Sequence, residues 1–203
     1  MKEQLWKITF YDKSVEDETL SLPDTILANL LRILEMAREV GPNLGRPHSA
    51  PLGDGLFEFR AKGKKGIARS VFVNVINREI VILHTLIKKS DAIPKKRYED
   101  HHTKSKGDKM RPTFEDFKAK ALEKDEVRKE YDRLEVEFDL KLKLIKIRKA
   151  ANLTQEEMAN RMNTSKSNIS RLESLNSKIS PTISTLNAYA NAAGYRLDVN
   201  FVQ

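Results

Sequence analysis

Between Leu153 and Ser174 runs LTQEEMANRMNTSKSNISRLES, a stretch whose residue types and spacing suit the reading of a nucleic acid. Thr154 stands three residues before Glu157, the T-x-x-E pattern of a capping box that opens a helix. Met158 and Met162 fall on one apolar face, and Ala159 is small where a second helix must cross closely. Asn163 suits a left-handed turn position, where glycine would be easiest. Thr164 is expected to cap the next helix. On that second helix Ile169 and Leu172 turn inward, which leaves Ser165, Lys166, Ser167, Asn168 and Arg171 outward. A helix offered in this way fits a DNA major groove about 12 Å wide. The plainer alternative is a helix pair that only packs.

A second concentration of chemistry lies upstream. Residues 56–109 hold 14 Lys or Arg against 6 Asp or Glu, so this block alone accounts for the net charge of +8. Such a block attracts phosphates, although a merely solubilising surface would have the same composition. The 203 residues, 39% hydrophobic and 33% charged, describe a chain able to bury a core. No apolar run approaches the ~20 residues that span a bilayer, so no membrane partner is expected. MKEQLWKITF lacks an apolar signal core, so a cytoplasmic location is expected. With no cysteine, disulfide and thiolate chemistry are excluded. No Gly-rich phosphate loop follows a strand and no His/Asp/Glu cluster has metal-ligand spacing, so neither cofactor nor metal is expected.

The elements that must position these residues can be read in order. Residues 5–11 have strand composition. Leu27, Leu30, Leu31, Leu34 and Ala37 predict a helix over 23–40, stopped by Gly41-Pro42. Residues 42–54 read as a loop in which His48 is solvated. The runs Leu56–Ala61, Ala68–Ile76 and Glu79–Ile87 predict an antiparallel meander with a tight turn at Asn77-Arg78 and an interior strand Val81–Leu86. A charged helix opens at Pro94, and the polar, basic residues 102–112 read as a linker. A broken helical pattern runs from Thr113, capped through Asp116, to about Ala151, with Phe117, Ala121, Tyr131, Leu134 and Phe138 on one side. Short helices continue to Ala193, Gly194 stops them, and Tyr195–Phe201 alternates like a strand. The expected fold class is α+β: an N-terminal domain of helices plus an antiparallel meander sheet, then an all-α helix-turn-helix domain with a C-terminal strand.

The motif at 153–174, with the helix before it (DLKLKLIKIRKAANLTQEE) and the one after it (SPTISTLNAYANAAG), resembles the Cro/repressor or xenobiotic-response-element family of helix-turn-helix domains over residues 139–194. The resemblance implies a five-helix domain that binds operator DNA as a dimer. It implies phosphate contacts from Gln155 and Thr164 and base reading by Ser165, Ser167 and Asn168, beside Lys166. It also implies a phosphate contact from Arg171. Asn163 departs from the family's frequent glycine.

Upstream, LGDGLFEFR, IARSVFV and IVILHTLIKKSDAIPKKRYE succeed one another over residues 52–98. In this order they resemble the HigB-like branch of the RelE toxin superfamily. The resemblance implies a small α+β endoribonuclease that cuts messenger RNA on the ribosome. Its usual partner is a HigA-like antitoxin, itself a helix-turn-helix repressor, and residues 110–203 are similar to that partner. The chain thus looks like toxin and antitoxin joined: a toxin domain at 1–101, a linker at 102–112 and an antitoxin at 113–203. Joining is a departure from the family, in which the two are separate proteins.

By the family pattern Arg60 and Arg69 lie on adjacent strands and clamp the scissile phosphate. Lys88 and Lys89 hold neighbouring phosphates or donate a proton. Glu58 and His84 are candidate proton-transfer groups, with a satisfied core histidine as the alternative for His84 and an Arg partner for Glu58. Nine Asp or Glu between 113 and 138 suggest that this lead-in covers the basic 56–109 block and silences the nuclease. The expected partners are operator DNA, mRNA with the ribosome, a toxin–antitoxin contact and a homodimer paired through the C-terminal strand. The competing reading is a transcription regulator with a non-catalytic RelE-like domain.

Overall fold

The computed structural model describes residues 5–75, 77–87, 111–175, 177 and 180–200. Lys88, Lys89, the helix expected at Pro94, His101, His102 and most of the expected linker lie outside the described residues.

Five strands, β1 (Lys7–Phe10), β2 (Ser49–Gly53), β3 (Leu56–Gly63), β4 (Gly66–Val75) and β5 (Glu79–Ile87), form one sheet in the order β1-β5-β4-β3-β2. β2 to β5 are antiparallel neighbours, as the meander pattern requires, and β1 adds in parallel beside β5. Asn77 and Arg78 both take positive φ, 68° and 59°, the conformation a tight hairpin demands. β2 occupies what the sequence marks as loop; it is an edge strand, where Pro51 withholds no needed donor. At β1 the chain returns to shield the edge: Phe10 N donates to Pro112 O at 2.9 Å, and Thr9 bridges Thr113.

One sheet face carries Phe59, Phe72, Ile80 and Ile82 and packs against α1 (Lys13–Leu20) and α2 (Asp24–Val40). α2 is the most buried helix: Ile26 to Leu34, Met36 and Ala37 are all enclosed. Gly63 lets the β3–β4 hairpin reach it, since a Cβ there would lie 2.5 Å from Thr25 Oγ1 and 2.8 Å from Ile26 N.

The far side of α2 is covered by the C-terminal half. The helical lead-in breaks twice, into α3 (Phe114–Leu122), α4 (Asp125–Arg133) and α5 (Glu135–Ala150). Phe114, Phe117, Ala121, Val127, Tyr131, Phe138 and Ile145 belong to the same core as α2 and the sheet. Ionic contacts seal the seam. Arg32 donates to Tyr131 O and lies 3.5 Å from that ring's centre, while Lys118 and Tyr131 both meet Glu35. The acidic lead-in therefore does not lie over the face that holds Arg60 and Arg69, as its charge suggests. Its apolar stripe matches α2 better, and among the described residues its ion pairing with the basic block is limited to Glu130, 3.7 Å from Lys64.

A second core joins α5 to α6 (Gln155–Arg161), α7 (Lys166–Leu172) and α8 (Ile183–Ala192) through Leu144, Met158, Ala159, Ile169, Leu172 and Tyr189. Residues 195–200 form no strand. Alternation alone does not make one; a strand needs a neighbour to receive its backbone bonds, and this tail has none within the described chain.

Candidate functional site

The described sheet residues include four of the six expected nuclease-site groups. Glu58 and Arg60 alternate with Phe59, so they lie on the sheet face opposite α2, and Arg69 faces the same way on β4. Arg60 and Arg69 are register partners, which brings their side chains together as the family pattern implies. Between them sits Glu58, fully buried. Arg60 Nε donates to Glu58 Oε1 at 2.5 Å, and Arg69 Nε lies 3.5 Å from Glu58 Oε2. That last approach is too long for a hydrogen bond, and both atoms are buried without another partner among the described residues. Thus one carboxylate is held between two guanidiniums whose outer edges keep 29% and 15% of their side-chain exposure.

His84 stands in the same row, opposite Val71, which in turn is opposite Glu58. It is not brought to the arginines. His84 Nδ1 meets Glu18 Oε2 at 2.6 Å, and that oxygen also accepts from Thr85 N. Glu18 went unread in the sequence because α1 has a polar composition and a short length.

The helix-turn-helix assembles much as its motif requires. Thr154 and Glu157 complete the capping box, and Asn163 takes φ 48° in the turn. The second helix begins one residue later than expected: its N-cap is Ser165, which accepts from Asn168 N, while Thr164 accepts from the Asn168 side chain at 2.9 Å. Ser165, Lys166, Ser167, Asn168 and Arg171 are exposed along α7. Lys166 reaches Glu156 at 3.2 Å, a surface pair of little strength.

Gln155 differs. It is 7% exposed, and its Nε2 donates to Arg46 O at 2.8 Å and to Glu173 Oε2 at 2.9 Å, so it is not offered to a phosphate. Its partners belong to a buried network. Arg148 grips Glu173 with Nε and Nη2 at 2.6 and 2.9 Å, and Tyr189 OH donates to the same carboxylate. Burial, then the Glu173 charge, pushes the Tyr189 phenol far up. His48, expected in solvent, is 1% exposed: its Nε2 donates to Glu173 O at 2.9 Å, and burial pulls its pKa down. Arg148, Glu173 and His48 carry no local motif, since each acts through partners distant in sequence.

Comparison with known proteins places names on both halves. No curated protein matches the chain. Among the described residues no helix is long and apolar enough to cross a membrane. Residues 17–104 match the profile of phage-derived Gp49-like proteins, a family of the RelE or toxin-like kind. Residues 144–200 match a helix-turn-helix profile, which supports DNA binding. The chain therefore joins a Gp49-like domain to an XRE-type helix-turn-helix domain.

Proposed function

We propose that this chain is a type II toxin–antitoxin module in one polypeptide, acting in the cytoplasm. In this reading the HigB-like half is a ribosome-dependent mRNA endoribonuclease. The HigA-like half neutralises it and, as a dimer, binds operator DNA to repress its own operon. The observation that carries the reading is the pairing of Arg60 with Arg69 on adjacent strands in a Gp49-like domain that is followed by a helix-turn-helix. Cleavage of RNA by its own 2′-hydroxyl needs charge stabilisation at the phosphate, which two guanidiniums supply without a metal. Lys88 and Lys89 follow directly on β5 and would add phosphate contacts. Glu58 and His84 are the groups in that row able to move a proton.

A second reading has a specific observation behind it. Glu58 already occupies the space between the arginines, as it would in a domain that keeps the fold without the chemistry. The protein is then a transcription regulator with a non-catalytic Gp49-like domain.

Message cleavage in a cell-free translation reaction separates the two. The full chain and residues 1–109 are compared, each with Arg69→Ala. Circular dichroism checks that the shorter form folds, because it bares the α2 face that α4 and α5 cover. Cutting by either form that Arg69→Ala abolishes sustains the nuclease; folded protein that cuts nothing leaves the regulator.

A further inference from the structure

The loop Leu44–His48 belongs to the Gp49-like half, yet it is seated on the helix-turn-helix. Arg148 Nη2 donates to Leu44 O at 3.3 Å, and His48 binds Glu173 O. The carbonyl of Arg46 receives one bond from each motif helix: Gln155 Nε2 of α6 at 2.8 Å and Ser170 Oγ of α7 at 2.9 Å. Gly45 allows this approach; at φ +85° it lies so close that a Cβ would be 3.0 Å from the Gln155 amide carbon. The backbone of residue 46 is thus fixed to both helices, while its side chain is exposed and has no ionic or hydrogen-bond partner among the described residues.

That guanidinium borders an open cleft of about 440 Å³, shared with Lys149, Lys166, Thr154 and Glu156. Lys149 donates to Val40 O at 2.7 Å, and burial, with Arg148 beside it, pulls its pKa down to about 8. The cleft is short of negative charge. Its position matters as much: it runs from the start of α6 to Lys166 at the start of α7, which is flanked in sequence by the exposed Ser165 and Ser167. A duplex whose major groove receives α7 brings a sugar-phosphate strand alongside that helix.

We propose that Arg46 of the Gp49-like half is part of the DNA-binding surface, contacting the DNA backbone in place of the withdrawn Gln155. The inference rests on the DNA-binding reading of the helix-turn-helix. It adds that the two halves make one interface: the N-terminal loop both takes Gln155 out of use and supplies the replacing cation. Lys149 and Lys166 continue the same strip of positive charge.

The test uses the full chain and a fluorescently labelled duplex of mixed sequence, read by anisotropy across a salt series. Neutralising one phosphate contributes about 0.9 to the slope of log affinity against log salt. Arg46→Ala is expected to lower that slope by about one and to weaken binding roughly threefold to tenfold. Arg46→Lys is expected to restore the slope. Lys129→Ala, an equal change of net charge on the exposed face of α4, is the control and leaves the slope unchanged. An Arg46→Ala slope equal to that of the unaltered chain, or one matched by Lys129→Ala, overturns the assignment while leaving DNA binding intact. An unaltered chain that binds no duplex overturns the DNA-binding reading and the assignment together.

Discussion

The two sets of polar side chains proposed to meet nucleic acid stand in opposite states. On β3 and β4, Arg60 and Arg69 converge on the fully buried Glu58, and most of their surface is enclosed. On α7, Ser165, Lys166, Ser167, Asn168 and Arg171 face solvent, and their bonds are short-range surface contacts. The first arrangement is closed on itself, with Glu58 as counter-charge to both arginines even though Arg69 Nε and Glu58 Oε2 make no hydrogen bond, so an incoming phosphate competes with Glu58 for both arginines. The second is poised, since a base edge or phosphate displaces only water and weak pairs. What separates them is therefore the partner each already has, more than the amount of positive charge.

The contrast breaks most violently where the poised surface is anchored. Arg148→Met strands the buried Glu173 and is expected to cost about 3–5 kcal/mol, read as a lower urea midpoint. A loss under about 1 kcal/mol would show that the network does not hold α7 in place. Glu58→Gln sharpens the contrast from the other side. It loosens both arginines at a cost of about 1–3 kcal/mol and tightens binding of a single-stranded RNA oligonucleotide, measured by anisotropy. Unchanged RNA affinity would mean that Glu58 does not hold the arginines back.

Acid acts on the loop that joins the regions. The His48 pKa is lowered from 6.5 in the folded chain, so the unfolded chain binds the extra proton first and stability rises with pH through this window. Stability should fall as pH drops below about 6.5, read as a lower urea midpoint, and His48→Gln should flatten the profile. The smallest expected effect is Arg171→Ala, which shifts stability by less than about 0.5 kcal/mol while weakening binding to duplex DNA. A large stability loss there would place Arg171 with the enclosed group.

The same division explains what was legible beforehand. The helix-turn-helix and its exposed residues could be read because capping, the turn and apolar spacing are local: Thr154 with Glu157, Asn163, Met158 with Ile169. The α2 face and the meander were legible through Leu27 to Ala37 and the Asn77-Arg78 turn. β2 escaped because Pro51 and Gly53 read as loop, and α1 because KSVEDETL has little apolar pattern. Gln155 and His48 were misplaced for one reason. Their surroundings are made by Arg46 and Glu173, contacts across more than a hundred residues that no local pattern records. Residues 195–200 alternate in type and still form no strand among the described residues, because pairing depends on a neighbour.

From Ile26 to Leu34, α2 has no side given over to solvent: the sheet takes one face and α4 with α5 the other. A helix with a single apolar stripe can be passed from one partner to another, but one enclosed all round is released only by opening the fold. The Gp49-like half and its cover are consequently locked at one to one, beyond the reach of any change in the relative supply of two separate proteins. Under the proposed function, control of such a molecule would act on synthesis or destruction of the whole chain, since letting half of it go would turn its most deeply buried helix out into water.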